Sequence, residues 1–379
     1  MRIKTIALLA LLLCQLSCRM PVRWVSDGKG RIFAVNDKAI HVIENDKPAL
    51  IDNIEKDVST DFTCADFNAD KDMLAIAGSS SVGVDNKIHY IDIWAIGIAD
   101  KKKTVLAEEP GQLVFDLKWL NHNIGIAYTR IDDANMLAPK IQLRIVYENA
   151  KSRLLLNNST IFFGLYKNDD KGYIVAGRAI GDSPDFREVC MGEIVALDIE
   201  TGGITKLFDS AYSPLSNFAV LSDMEILVSI PEIKLPFLQK KSNIDEITHG
   251  IFRFNAETKT LTKVSPENKS VIFFALSPDK NKMAWIVEEG NKLQIADLSG
   301  KTIAEVGTTE WLEFVPFWRD NNVVCYMEEI HSGKPEESIR NLVFYDCKEK
   351  KFRQASKEIN VLLPAKGVKV PENAGRDGK

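Results

Sequence analysis

The sequence predicts an all-β protein, a β-propeller of seven blades with four antiparallel strands in each, with six or eight blades as the alternatives. Three observations support this fold. A polar turn followed by a short apolar run recurs seven times, and a second hairpin pattern recurs between its copies. The periodicity of long helices is missing after the N-terminal leader, which argues against alternating helices and strands.

The first pattern places an acidic residue or Asn in a turn just before a short apolar run. Its clearest copy is Leu276–Ile286, in which Ser277-Pro278-Asp279 precedes the apolar run. The turn residues of the seven copies are, in chain order, Asp27, Asp70, Asn121, Asp169, Asp223, Asp279 and Asp320. They are 41 to 56 residues apart, which matches a blade of about 40 to 50 residues with insertions in its loops.

The second pattern is a hairpin that falls between copies of the first. Glu193–Leu207 contains a strand, the tight turn Thr201-Gly202 and a second strand. Similar hairpins are predicted at Ile251–Leu261, Leu293–Lys301 and Leu342–Phe352. Two hairpins in each repeat give the four strands of a blade.

The N-terminal segment has the composition of an export signal. Arg2 and Lys4 precede the apolar run Ile6–Leu13, which is shorter than the roughly 20 residues of a membrane span. We therefore expect residues 1–17 to be a signal peptide that is not part of the fold.

A lipid attachment site is predicted at Cys18. Leu16-Ser17-Cys18 resembles the end of a bacterial lipobox, in which a small residue precedes the acylated Cys, whereas Gln15 stands where that family usually has Leu. Gln15 is equally unfavourable for ordinary signal peptidase. Lipidation of Cys18 is the first expectation, with soluble secretion and an uncleaved anchor as alternatives.

The rest of the chain is predicted to be one domain. We expect a tether over residues 18–23, a single propeller over 24–366 and a polar tail over 367–379. Ile359–Leu363 is a candidate strand for the first blade, because such a strand would join the chain ends and remove an open sheet edge.

The charge balance excludes nucleic acid as an expected partner. The chain has 48 Lys and Arg against 53 Asp and Glu, a net charge of −5. Without Arg2 and Lys4 the mature chain has 46 against 53, a net charge of about −7. No basic stripe appears, and such a stripe is the usual mark of nucleic-acid binding.

The cysteines beyond Cys18 are few and widely spaced for an exported protein. They are Cys64, Cys190, Cys325 and Cys347. Cys325 and Cys347 fall in predicted neighbouring strands and are the first candidates for a disulfide bond. Buried free thiols are the alternative.

Tryptophans recur near the repeat turns. Trp24, Trp119, Trp285 and Trp318 are predicted to occupy equivalent places and to pack between blades, with a sugar-binding surface as the alternative.

One repeat carries a family resemblance. The segment from Leu276-Ser277-Pro278-Asp279 to Trp285 resembles the repeat of TolB-type and WD-repeat-like propellers. The resemblance implies a propeller and, by analogy with TolB, an envelope protein as partner. The Asp198–Gly202 segment is similar to the repeats of quinone-dependent dehydrogenases but occurs once, so no cofactor is predicted.

Four antiparallel strands per blade sort the loops onto two faces of the ring. We call the face with the two short hairpin turns the tight-turn face, and the opposite face the looped face. The connections between strands two and three emerge on the looped face and are predicted to be long at Gly78–Asn86, Thr129–Lys140, Arg178–Met191, Ile230–Gly250 and Glu329–Arg340. Insertions on one face of a repeat protein indicate its binding face. Simple tolerance of insertions is the alternative.

The longest of these loops contains the candidate partner contact. Leu235, Pro236, Phe237 and Leu238 form an apolar tetrad between prolines and lysines. Proline opposes strand pairing here. The tetrad either packs over the mouth of the channel or contacts a partner, and both interpretations stay open.

The sequence carries none of the common catalytic motifs. The chain has five His residues, none at metal-binding spacing, and lacks nucleophile-elbow and phosphate-loop motifs. Asp66–Asp72 has alternating oxygen ligands like a calcium loop, but Lys71 replaces the required Gly and Ala77 the required Glu. A structural turn is favoured there, and no metal, cofactor or catalytic residue is predicted.

These observations predict an exported, lipid-anchored propeller in the bacterial cell envelope, in the periplasm or at the outer membrane, or otherwise secreted. We expect a non-catalytic module that binds an envelope protein, with a small molecule or glycan as an alternative ligand. The alternative function is an enzyme, a carbohydrate lyase or hydrolase or a peptidase-associated protein, acting at the looped face or in the channel.

Overall fold

The computed structural model describes residues 22–36, 39–53, 60–82, 88–110, 114–120, 125–132, 140–148, 151–159, 163–168, 171–179, 188–212, 216–222, 225–232, 242–243, 248–308, 316–330, 339–356 and 359. Within these ranges the chain forms seven antiparallel sheets of four strands, arranged as a β-propeller, and one sheet gains a fifth short strand. The predicted fold and blade number are confirmed. In the same ranges, no helix is long and apolar enough to cross a membrane.

Each blade is a four-stranded meander in chain order, with its first strand innermost. Blades 1 and 2 are β1 (Val22–Ser26), β2 (Ile32–Asn36), β3 (Ala39–Glu44), β4 (Lys47–Asn53), β5 (Thr60–Asn68), β6 (Met73–Val82), β7 (Ile88–Gly97) and β8 (Lys103–Pro110). Blades 3 and 4 are β9 (Val114–Trp119), β10 (Gly125–Asp132), β11 (Lys140–Tyr147), β12 (Arg153–Asn157), β13 (Gly164–Asn168), β14 (Lys171–Ala179), β15 (Glu188–Asp198) and β16 (Ile204–Tyr212).

The remaining strands complete the ring. Blade 5 is β17 (Asn217–Ser222), β18 (Glu225–Pro231), β20 (His249–Asn255) and β21 (Thr260–Lys263), and the short β19 (Ser242–Asn243) lies between β18 and β20 in the chain. Blades 6 and 7 are β22 (Val271–Leu276), β23 (Lys282–Val287), β24 (Lys292–Asp297), β25 (Thr302–Thr308), β26 (Phe317–Trp318), β27 (Val323–Ile330), β28 (Ile339–Asp346) and β29 (Lys351–Gln354).

The first sequence pattern marks the turn between strands one and two of every blade. Asp27 Oδ1 accepts the backbone N–H of Lys29 at 2.8 Å, and Asp320 Oδ1 accepts that of Asn322 at 2.8 Å. An Asp in this place favours the turn because its side chain bonds the backbone two residues on. Asn121, Asp169 and Asp223 lie outside the described residues, each between the first two strands of its blade.

The second pattern marks the turn between strands three and four. Asp198 Oδ1 accepts the N–H groups of Glu200 and Thr201, at 2.9 and 2.8 Å. Asp346 makes the equivalent bonds to Lys348 and Glu349. Both predicted hairpin series are therefore confirmed.

The core is divided among the seven joints, where a joint is the packed interface between neighbouring blades. A separate apolar cluster fills each joint, including the joint that closes the ring between blades 7 and 1. The clusters explain why second and third strands are nearly continuous apolar runs, since both sheet faces are covered.

The ring closes differently from the prediction. Blade 1 takes all four strands from residues 22–53, and Ile359 is a fully buried side chain packed with Ile32 and Cys325 in the cluster between blades 1 and 7. The expectation of a C-terminal strand at Ile359 is wrong, because the inner strand β1 already completes blade 1. Residues 360–363 lie outside the described residues.

Two of the four predicted Trp positions are equivalent. Trp119 and Trp318 each end a first strand, and their indoles donate to Asp66 O at 3.0 Å and Ala275 O at 2.9 Å in the preceding blade. Trp285 lies instead in the second strand β23 and donates to Gln294 within its own blade. All three pack in joints, as predicted.

The described cysteines are free thiols. Cys64 and Cys325 are buried, and Cys347 is partly buried. The register pairs Cys325 with Phe344, three residues before Cys347, so the two sulfurs are not placed for a bond. The predicted Cys325–Cys347 disulfide is absent, and the free-thiol alternative holds for these residues. The side chain of Cys190 lies outside the described residues.

Among the described residues, every outermost strand exposes a large apolar side chain, and a basic residue lies one to three positions from it in the sequence. The apolar residues are Leu50, Val105, Leu154, Ile204, Leu261, Ile303 and Phe352. The basic neighbours are Lys47, Lys103, Arg153, Lys206, Lys259, Lys301 and Lys351. Charged side chains on an edge strand oppose pairing with other chains.

Candidate functional site

The loops of the looped face begin later than predicted, because their strands are longer. β6 and β7 pair from Met73↔Gly97 out to Val82↔Ile88, so the predicted loop at Gly78 starts as strand. β10 likewise continues to Asp132. The segments that remain, residues 83–87, 133–139, 180–187, 233–241, 244–247 and 331–338, lie outside the described residues.

The candidate partner contact also lies outside them. Leu235, Pro236, Phe237 and Leu238 fall in residues 233–241, and Cys18 falls in residues 1–21. The structure therefore describes the stem of the longest loop, and the tetrad and the lipid site stay predictions.

The stem is fixed by backbone and charge contacts. The Glu232 N–H donates to Thr248 O at 2.8 Å, which brings the two ends of the insertion together. The Lys263 ammonium, only 13% exposed, binds Glu232 Oε2 at 2.9 Å and Glu267 Oε2 at 3.1 Å. Burial alone would lower the pKa of Lys263, but the two carboxylates raise it above its ordinary value. Lys263 therefore stays charged and holds the stem.

The insertion also contacts the neighbouring blade. Ser242 and Asn243 form β19, which pairs antiparallel with Val189 and Glu188 at the beginning of β15 in blade 4. The beginning of a third strand lies on the looped face. Ser242 and Asn243 of the insertion therefore lie on blade 4, and β20 of blade 5 begins at His249.

A charged network links blades 2 and 3. Glu109 Oε1, at the end of β8, lies 3.1 Å from Arg130 Nη1 and 3.7 Å from Arg144 Nε. The Tyr128 and Ser152 hydroxyls both donate to this carboxylate. Burial and then the Glu109 charge raise the pKa of Tyr128, so its hydroxyl remains a donor. Four side chains therefore bind the Glu109 carboxylate. We interpret the network as a structural contact between the two blades.

A second charged cluster lies on the inner strands, which form the channel wall. Asp116 and Lys118 of β9 are paired at 3.0 Å, and the Lys118 ammonium also donates to Phe163 O before β13. Asp66 of β5 accepts the Trp119 N–H at 2.8 Å. Two carboxylates and one ammonium from blades 2 and 3 therefore lie close together.

The calcium-like run is a turn. Asn68 Oδ1 accepts the N–H groups of Asp70 and Lys71 at 3.0 and 3.1 Å, and Asp72 pairs with Arg31 at 2.7 Å. These carboxylates and amides serve the turn and the joint with blade 1. Over the described part of the chain, no group of three or more His, Cys, Asp or Glu is placed to hold a metal ion.

Sequence reasoning missed the roles of Glu109 and Asp66. Both contacts join blades that are distant in the sequence, Glu109 to Ser152 and Asp66 to Trp119. A charge inside an otherwise alternating strand was the available signal, since strands prefer to place charges at their ends or on a solvated face.

Comparison with known proteins identifies the fold. No protein family matches the chain by sequence, and no curated protein matches it. A structure from a study of two prolyl endopeptidases is 10% identical, covers 91% of this chain and 51% of that chain, and has a TM-score of 0.57. The acylaminoacyl peptidase of Pyrococcus horikoshii is 13% identical over 90% of this chain and 52% of that chain, with a TM-score of 0.56. TolB from Acinetobacter baumannii is 11% identical, covers 89% of this chain and 78% of that chain, and has a TM-score of 0.47.

At these identities the similarity concerns the fold alone. The chain spans about half the length of the two peptidase chains that it matches. The class that the structure defines is therefore a seven-bladed β-propeller.

Proposed function

We propose that this protein is an exported propeller, anchored by a lipid on Cys18, that acts as a non-catalytic binding module in the bacterial cell envelope. Its partner is another envelope protein, bound on the looped face through Leu235, Pro236, Phe237 and Leu238. The single observation that carries the proposal is the anchoring of the long insertion, whose β19 pairs with β15 of the preceding blade, blade 4.

That anchoring matters because a binding loop must be ordered at its ends to present a surface. The stem is closed by the Glu232–Thr248 bond and the Glu232–Lys263 ion pair. Fixing a loop before binding reduces the conformational entropy that the complex loses. An apolar tetrad between two fixed ends is suited to contact a partner, since large apolar residues supply most interface energy.

Partner recovery from a bacterial envelope extract tests the proposal. The mature protein is compared with a variant in which Leu235, Phe237 and Leu238 are replaced by Ser. A matched control carries Ser at Ile303 and Phe352, which are exposed apolar residues of outermost strands. We expect the loop variant to lose the partner and the control to keep it. Equal recovery by both would reject the tetrad as the contact.

Export and anchoring need a separate test. Globomycin blocks the peptidase that processes lipoproteins, so accumulation of an unprocessed precursor would support lipidation at Cys18. The Cys18→Ala variant should lose this sensitivity and leave the membrane fraction. Processing that is unchanged by both globomycin and Cys18→Ala would reject the lipid anchor and leave soluble secretion.

A further inference from the structure

Two joints of the ring are built on the same inter-blade contact. Trp119 in the joint between blades 2 and 3, and Trp318 in the joint between blades 6 and 7, donate their indole N–H to the carbonyls of Asp66 and Ala275. The side chains at the two acceptor positions differ, since one is a carboxyl group and the other a methyl group. The indole contact therefore forms without a carboxylate beside it.

The Asp66 side chain adds a second contact to its joint. Its Oδ2 accepts the backbone N–H of Trp119 at 2.8 Å, so Asp66 binds both nitrogens of one Trp. Asp66 lies on the inner strand β5 and is partly buried. A carboxyl group thus stands directly at the junction of two inner strands.

Among the described side chains, no cation pairs with Asp66 alone. Among the described residues, the titratable groups that act on it lie on β9: Lys118 favours its ionised form and Asp116 opposes it. The Lys118 ammonium is already bound to Asp116 at 3.0 Å. On β6 the register partner of Asp66 is Ala75, which carries no charge. β1 also packs against β5, and the side chain of its Arg23 lies outside the described residues.

Desolvation therefore outweighs the favourable contacts. Burial raises the pKa of Asp66 from 3.8 to about 6, although the Trp119 N–H and Lys118 both lower it. If the joint opens and the carboxyl group is hydrated, its pKa returns toward 3.8. The stability that the protonated group gives to the closed joint is fully present below about pH 3.8 and is lost as the pH rises through about 6.

We propose that protonation of Asp66 controls how firmly blades 2 and 3 are joined at the channel wall. The joint is closed most firmly when the carboxyl group is neutral, and it opens more often when the group is ionised. This device belongs to the ring itself and does not depend on the proposed binding function.

Exchange of the two indole N–H protons, followed by NMR, tests the proposal on the whole protein. The protection factor of the Trp119 indole, corrected for intrinsic exchange, is expected to fall about tenfold from pH 5 to pH 8. The Trp318 indole in the same sample is the internal control and is expected to keep its protection factor. In Asp66→Asn, which keeps an acceptor oxygen but has no proton to lose, the Trp119 value should be constant over this range.

Two results would overturn the proposal. One is an equal pH dependence at Trp119 and Trp318, and the other is a fall at Trp119 that persists in Asp66→Asn. If Asp66→Asn does not fold, the deciding measurement is the NMR chemical shift of the Asp66 carboxyl carbon in the wild-type protein, followed as a function of pH. A titration midpoint near pH 6 supports the proposal, and a midpoint near pH 3.8 contradicts it.

Discussion

The tight-turn face and the looped face of the ring are held together in different ways. On the tight-turn face, basic side chains bridge one joint after another. The bridges are Arg31 to Asp72, Arg153 to the Ile199 and Glu200 carbonyls, Lys280 to Leu221 O, Lys282 to Asn321 O and Arg319 to Gly30 O. On the looped face, the described inter-blade contacts are of different kinds, such as the β15–β19 pairing and the His249 N–H bond to Ser270 Oγ.

This difference follows from the repeat. Short turns of equal geometry bring neighbouring blades to the same distance, so one type of contact serves many joints. The insertions differ in length from blade to blade, so the contacts they make differ from one joint to the next. We expect substitutions on the tight-turn face to change the free energy of unfolding, and substitutions in the insertion to change binding.

The largest effect is expected at Gly300, in the turn between β24 and β25. Its φ is +87° and an added Cβ would lie 1.7 Å from the Val264 carbonyl oxygen of blade 5. Gly300→Ala should lower the free energy of unfolding by about 4 kcal/mol, because backbone displacement adds to the strain of a left-handed residue. Urea denaturation measures this.

Gly202 is the matched control, in the corresponding turn of blade 4. Its φ is +73°, but an added Cβ meets nothing within 4 Å. Gly202→Ala should therefore cost about 1 kcal/mol. If the two substitutions lower the free energy of unfolding equally, the contact between Gly300 and Val264 of the neighbouring blade is not the reason that this turn requires glycine.

The next effect is expected at Ile359, which fills the closing joint. The side chain is fully buried against Ile32, Ala34 and Phe344. Ile359→Ala should lower the free energy of unfolding by about 3 kcal/mol through lost burial and the cavity that remains. Ile303→Ala, at an exposed position of blade 6, should have little effect. A small loss at Ile359 would mean that the ring does not depend on this residue for closure.

A smaller effect is expected at Asp46, in the turn between β3 and β4. Its carboxylate binds Arg353 and lies 3.4 Å from Arg319, so it joins blade 1 to blade 7. Asn tolerates the φ of +62° at this position, so Asp46→Asn removes the charge without straining the backbone. The substitution should lower the free energy of unfolding by about 1 kcal/mol, and this loss should become smaller as salt is added.

Glu305→Gln provides the comparison, since Glu305 pairs with Lys292 within blade 6 and both side chains are about half exposed. No change in the free energy of unfolding is expected there. If Asp46→Asn has no larger effect than Glu305→Gln, the charges of the closing joint add nothing to stability.

The parts of the fold that depend on local chemistry could be predicted from the sequence. Asp27, Asp198, Asp320 and Asp346 bond the backbone of their own turns, and such turns need no information from distant residues. Repeated turns at blade spacing then predict the number of blades.

The parts that depend on contacts between distant residues could not be predicted. The sequence predicts a strand beginning at Ile359, yet this residue packs in a joint whose members include Ile32, Ala34 and Ile43, all more than 300 positions earlier. Asp66 looked like part of a turn, and its partner Trp119 lies 53 positions later. The order of blades around a closed ring decides both contacts, and no local pattern contains that order.

The proposed binding of a partner by the looped face, through the blade 5 insertion, can be tested directly. The most direct test compares partner recovery with the Tm of the same samples. We predict that replacing Leu235, Phe237 and Leu238 by Ser abolishes recovery of the envelope partner without changing the Tm, while Asp46→Asn lowers the Tm and leaves recovery unchanged. Recovery that is undiminished in the insertion variant would contradict the claim.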